Sequence, residues 1–391
     1  MNIQLPFEIL ASVLRFRLEE ILADIDHQRS YQLYGSARRS SKEALDLLLV
    51  SKFTSEALEH ILYRRITEPS DDHVRVLCRK MITRPSLAHQ VEEITLGEGL
   101  HEDQEEEQEG GTAVTTPAET LERKFQSDTK YSRALGRNDL ETLKRPTIFA
   151  AKWVLLLQLP NLRTLTLRAH TGKFANMALL LRLPRLEKLD FSIKVPCPES
   201  DYALHSNDVP AVEVLASILS STTKLTWLKW EDMSGSSSHP VKQKVFRVKH
   251  ILDQHAANTL QHLSICFSNS CEVRLGGDKE LCHTQGHFGS MHNFTKLETL
   301  EIQLEVLLGS AADSRWRLRD VLPLQLRHFN GLALPGYYGL DDLRAWGPEH
   351  YTPQLYDLKA AIAQGENVAK LASAAMQMRS GMRFVFWRED R

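Results

Sequence analysis

Cysteine is scarce and odd in number: Cys78, Cys197, Cys266, Cys271 and Cys282 are spread over 391 residues. That argues against a disulfide framework and fits reduced thiols in a cytosolic or nuclear protein. Long apolar runs are missing as well. A stretch such as Trp153 to Leu157 falls far short of the roughly 20 residues a membrane helix needs, so no membrane partner is expected. The opening MNIQLPFEILASVLRFRLEE has no basic region ahead of an uninterrupted apolar segment, because Glu8, Arg15 and Arg17 cut through it, which argues against a secretory signal. Neither charge is in excess: 48 Lys and Arg face 50 Asp and Glu, so no global field points to nucleic acid. The patterns GxxxxGK[ST], HExxH and GxSxG are absent, as is a GxGxxG behind a strand. No catalytic residue and no cofactor is nominated, and the chain reads as non-enzymatic.

What is present begins with helical patterning. Leu5, Ile9, Leu10, Val13, Leu14, Leu18, Ile21, Leu22 and Ile25 recur at three- and four-residue steps, predicting an amphipathic helix from near Pro6 to about Asp26. After a polar loop with Gly35, a second such pattern runs from Ala44 through Leu48, Leu49, Phe53, Ala57, Leu58, Ile61 and Leu62. Ser70 as N-cap, Asp71 and Asp72 in a first turn, and Val74, Leu77, Cys78 and Met81 on one face predict a third helix that ends at Pro85. From Glu98 to Glu109 seven of twelve residues are acidic and none is Lys or Arg, so about 98 to 120 reads as a disordered insertion.

The remainder is dominated by an internal repeat of the form LxxLxL. It occurs as Leu162-Leu165-Leu167, Leu186-Leu189-Phe191, Leu225-Leu228-Trp230, Leu260-Leu263-Ile265 and Leu297-Leu300-Ile302, with weaker copies at Val91-Ile94-Leu96 and Leu326-Phe329. Helix-like runs precede most copies: Phe149 to Leu159, Met177 to Leu183, Val209 to Leu219 and Val245 to His255. A strand that follows a helix in every unit pairs in parallel with the strand before it. The expected fold is therefore α/β, a curved leucine-rich-repeat-like solenoid with parallel strands on its concave face and helices outside. A helix from about Gln354 to Arg379 and a last apolar strand, Phe384 to Trp387, would cap its open end.

Alternation within LxxLxL turns the leucines inward and the residues between them outward. Arg168, Lys188, Asp190, Trp227, Lys229, His262 and Glu301 are the candidate contacts for a protein substrate on that surface, beside Thr164, Thr166, Ser264 and Thr299. Trp227 stands out, because an outward Trp on a strand is costly to leave uncovered and Trp is enriched at binding hot spots.

The N-terminal residues carry a resemblance. Leu5-Pro6-Phe7-Glu8-Ile9-Leu10, then Leu47-Leu48-Leu49-Val50-Ser51-Lys52, Ala57-Leu58 and Ile61 to Ile66 are similar to the F-box-like modules of fungal F-box proteins, and Pro85 to Leu96 resembles the way those proteins enter their first repeat strand. The resemblance implies a chain that docks on a Skp-type adaptor of a cullin ubiquitin ligase and presents a substrate on its repeats. It implies adaptor contacts at Leu5, Pro6, Ile9, Leu10, Leu49, Val50, Phe53 and Tyr63. The expected organisation is an F-box-like helical module at 1–68, a helix and first strand at 69–97, the acidic insertion at 98–120 and the repeat domain with its cap at 121–391. The alternative is a repeat scaffold whose N-terminal helices only cap the solenoid. Cys266, Cys271, Cys282, His283, His287 and His292 are residue types that bind zinc, but no compact C-x2-C spacing occurs and adjacent Cys282 and His283 fit poorly on one tetrahedral ion. They are read as a polar loop without metal.

Overall fold

The computed structural model describes residues 61–67, 71–97, 152, 155–170, 181–195, 211–234, 241–267, 287–309, 315–333, 348–369, 371–378 and 383–388. Within them ten strands form one sheet in chain order: β1 (Arg65–Thr67), β2 (Glu93–Leu96), β3 (Thr164–His170), β4 (Lys188–Val195), β5 (Trp227–Ser234), β6 (His262–Phe267), β7 (Thr299–Gln303), β8 (His328–Ala333), β9 (Ser373–Met378) and β10 (Arg383–Arg388). Every pair from β1 to β9 is parallel, and β10 returns antiparallel to β9.

The same backbone device joins each unit to the next. The carbonyl of the residue just before a strand accepts two N–H groups from the following unit: Glu92 O from Arg163 and Thr164, Arg163 O from Glu187 and Lys188, Glu187 O from Thr226 and Trp227, Thr226 O from Gln261 and His262. The series continues through Gln261, Glu298 and Arg327, the last accepting from Ala372 and Ser373 at 2.7 and 3.1 Å. Equivalent residues thus repeat in space as well as in sequence, and this fixes the register of the whole sheet.

Inward positions form two buried columns. The first LxxLxL column runs Ile66, Ile94, Leu165, Leu189, Leu228, Leu263, Leu300, Phe329 and Ala374; the second runs Leu96, Leu167, Phe191, Trp230, Ile265, Ile302, Gly331 and Met376. The helices cover these columns with apolar stripes of helical period. In α1 (Asp71–Thr83) Val74, Cys78 and Met81 are buried; in α3 (Ala211–Ser221), after the one-turn α2 (Pro85–Ala88), Val212, Leu215, Ile218 and Leu219 are. In α4 (Val241–His255) the stripe is Val245, Val248 and Leu252, and an Arg247–Glu213 ion pair ties α4 to α3. Two short helices, α5 (Leu304–Leu308) and α6 (Leu318–Val321), and α7 (Pro348–Ala363), which buries Tyr351, Leu355, Leu358 and Ala361, complete the layer.

Three expectations are corrected. The segment from Gln354 to Arg379 is not one helix: α7 starts earlier and ends at Ala363, Gly365 adopts φ +73, and Ser373–Met378 is strand β9. The Ala-rich sequence favours helix, but the open edge of β8 supplies a ladder, and tertiary pairing overrides propensity. Residues 61–64 are helical as the pattern requires, yet Arg65–Thr67 then enters the sheet as β1. Leu181 to Leu183, read with the helix-like run before β4, is not helical; both leucines are buried in irregular chain ahead of the strand.

Candidate functional site: the outward face of the sheet

Residues between the buried columns face away from the helices and line up in rows across the strands. One row is Arg65, Glu93, Thr164, Lys188, Trp227, His262, Thr299, His328 and Ser373; the next is Thr67, Thr95, Thr166, Asp190, Lys229, Ser264, Glu301, Asn330 and Ala375. Arg168, Ser192, Glu231 and Cys266 begin a third. All seven nominated substrate-facing residues, Arg168, Lys188, Asp190, Trp227, Lys229, His262 and Glu301, therefore share one surface.

Three local groups stand on it. Over β3 to β5, Lys229 Nζ lies 3.9 Å from Asp190, with Arg168 also acting on that carboxylate. Burial nevertheless raises the Asp190 pKa from its ordinary 3.8, and the two cations only partly oppose the rise. In the centre, the Trp227 and His262 rings are stacked, with centroids 5.1 Å apart and planes 7° from parallel. Burial holds His262 below its usual 6.5 against the pull of Glu301, so the ring is neutral near pH 7. Over β6 to β8, Glu301 accepts hydrogen bonds from Ser264 Oγ at 3.3 Å and Asn330 Nδ2 at 3.2 Å. Beyond it His328 Nδ1 and Ser373 Oγ are 2.9 Å apart.

Sequence reasoning missed Asn330, His328 and Ser373. His328 and Asn330 flank Phe329 in the weak repeat copy, a signal that was available, while Ser373 lay in a segment read as helix. Ser264 was expected outward and is, but at 5% exposure it is covered by its neighbours. At the end of β6 the Gln303 side chain replaces a missing ladder rung, accepting from Phe267 N–H at 2.9 Å and donating to Phe267 O at 2.8 Å.

Among the residues nominated for adaptor contact, Leu5, Pro6, Ile9, Leu10, Leu49, Val50 and Phe53 lie outside the described residues. Tyr63 is described, half-buried, and its hydroxyl accepts a hydrogen bond from Lys80 Nζ of α1 at 2.8 Å. Of the Cys and His series, Cys271, Cys282 and His283 lie outside the described residues. His287 packs between Phe246 and Trp316, accepting a hydrogen bond from Trp316 Nε1 at 3.2 Å. Among the described residues no group of three or more His, Cys, Asp or Glu side chains could hold a metal ion, and no helix is long and apolar enough to cross a membrane. Comparison of the chain with protein-family models, with curated proteins and with solved structures gives no match.

Proposed function

We propose that the chain is a non-enzymatic substrate-recognition adaptor that docks on a Skp-type adaptor of a cullin-RING ubiquitin ligase through its N-terminal helices and binds a protein substrate on the outward rows of the sheet. The observation that carries the recognition half is the unbroken registration of those rows from β1 to β9, which gives one surface many strands wide in the manner of curved repeat solenoids, where such rows line the concave side. The ligase half rests on the resemblance of Leu5 to Leu10 and Leu47 to Lys52 to F-box-like modules. Co-purification tests it: the full chain should form a complex with a Skp-type adaptor, and Leu5→Asp or Pro6→Ala should abolish it. Failure of the intact chain to retain the adaptor overturns this half.

A second reading, a binding scaffold whose N-terminal helices only cap the repeats, is favoured by one contact. Residues 61–64 pass straight into β1, Ile61 is buried, and Tyr63 is held by Lys80 of α1, so the end of the N-terminal module is built into the repeat core. Removing residues 1–60, which spares β1, separates the two. A docking module leaves the melting temperature of the remainder unchanged, whereas a cap lowers it.

A further inference from the structure

Charges on the outward face are only partly matched within the chain. Lys188 is exposed and has no ion-pair partner among the described residues. Glu301, half-buried on β7, is held by the neutral donors Ser264 and Asn330, with no Lys or Arg within ion-pair distance among the described residues. His262 on the neighbouring strand is no counter-ion near pH 7, because burial keeps its ring neutral. A half-buried carboxylate held by neutral groups gains most from a cation brought by a partner, since the surrounding sheet screens the pair less than water does.

Between the two charges stands the aromatic pair. The Trp227 to His262 centroid separation of 5.1 Å is close to the roughly 4.8 Å spacing of neighbouring strands. The rings therefore form a wall, one flank turned toward β4 and Lys188, the other toward β7 and Glu301. Lys188 and Glu301 are three strands and two register positions apart. At about 4.8 Å per strand and 3.3 Å per residue the span is about 16 Å, which an extended segment covers in about five residues.

We propose that this face reads an extended protein segment bearing an acidic and a basic side chain about five residues apart, the acidic one on Lys188, the basic one on Glu301, with the residues between them crossing Trp227 and His262. It rests on the reading of the outward rows as the substrate-binding surface. A uniformly acidic segment meets Glu301, and a uniformly basic one meets Lys188, so like-signed partners are rejected at one flank or the other. A polyphosphate backbone, anionic throughout, meets Glu301 in the same way as a uniformly acidic segment.

Fluorescence anisotropy on the full chain tests this with labelled peptides of Ser, Gly and Leu that carry Asp and Arg five residues apart in either order, beside Asp/Asp, Arg/Arg and uncharged versions. One mixed-sign order should bind about tenfold or more tighter than every like-signed peptide at low salt. Lys188→Glu should shift the preference to Arg/Arg, and Glu301→Lys to Asp/Asp. Glu301→Gln keeps groups able to hydrogen-bond Ser264 and Asn330; it should melt like the parent while losing discrimination at the basic position. Absence of binding to any peptide, equal binding of all of them, or preferences unmoved by Lys188→Glu and Glu301→Gln would overturn the proposal. These variants leave adaptor pull-down unchanged, so a chain that binds the mixed-sign peptide but no Skp-type adaptor refutes the ligase reading alone.

Discussion

Gly331 occupies an inward position where the neighbouring strands carry Ile302 and Met376, and the chain fills the missing volume from the next strand. A methyl group at 331 would sit inside van der Waals contact of Met376 Sδ, 2.8 Å from its Cε and 3.4 Å from a Phe329 ring carbon. Ordinary carbon contacts are about 3.5–4.0 Å, so the Met376 side chain must retreat by about an ångström, and it is fully buried. Overpacking of this kind costs about 1–3 kcal/mol. The backbone of Gly331 is not in the left-handed region, so alanine recovers about 0.5–1 kcal/mol of unfolded-chain entropy. Gly331→Ala should therefore lower stability by up to about 2.5 kcal/mol, read as a shift of the urea midpoint at unchanged slope. Met376→Ala alone removes a buried side chain and should cost about 2–5 kcal/mol. Combined, the new methyl enters space that Met376 has vacated, and the double variant should be more stable than the sum of the singles by 1 kcal/mol or so. If the two changes add within about 0.5 kcal/mol, Gly331 is not there for space.

Trp230 is fully buried, edge-on to Phe267 at 5.1 Å, and its Nε1–H has no acceptor among the described residues; Trp230→Phe removes that donor, worth about 1–3 kcal/mol, and should be far milder in denaturant melts than Trp230→Ala, for which about 3–5 kcal/mol is expected. Equal losses would rule the argument out. Burial lowers the pKa of both His262, where Glu301 opposes it, and His287, so below pH 6.5 the unfolded chain takes up protons the folded chain refuses. Their contribution to stability is thus full above about 6.5 and falls as pH drops toward the folded values; melting temperatures of His262→Gln and His287→Gln between pH 7.5 and 5 should decline less than the parent's. Burial pushes the Cys78 thiol up to about 12 despite Arg79, so a brief iodoacetamide pulse at pH 8 should leave it unmodified until the chain unfolds; rapid labelling of the native protein would contradict its burial.

The strands were legible wherever all three apolar positions of the repeat are filled, because Leu225-Leu228-Trp230 or Leu260-Leu263-Ile265 states the inward period and the turn together. Legibility failed where one position is small. Gly331 erases the third apolar site of β8, and in β9 Ala374 shrinks the middle one between Leu371 and Met376, leaving LASAAMQM to look helical. β1 offers a single inward residue, Ile66, directly after a helix, too little for a period to show. Of the candidate face, strand alternation yielded which side chains share a surface, since that follows from a period of two. It did not yield the contacts between rows: the Trp227 and His262 stack and the hydrogen bonds of Glu301 to Ser264 and Asn330 depend on register across units separated by insertions of unequal length.

The carbonyl relay from Glu92 to Arg327 bears on how such a molecule can be lengthened. Each interior unit donates two N–H groups to the carbonyl of the unit before it and offers an equivalent acceptor onward, so an extra helix and strand inserted between β5 and β6 would find Thr226 O waiting and would pass on an equivalent group. The antiparallel β10 breaks that grammar: a unit appended after it would meet backbone groups spaced for a reversed neighbour. An engineer wishing to widen the recognition face should therefore splice new units into the middle of the array and leave its final hairpin as the stop.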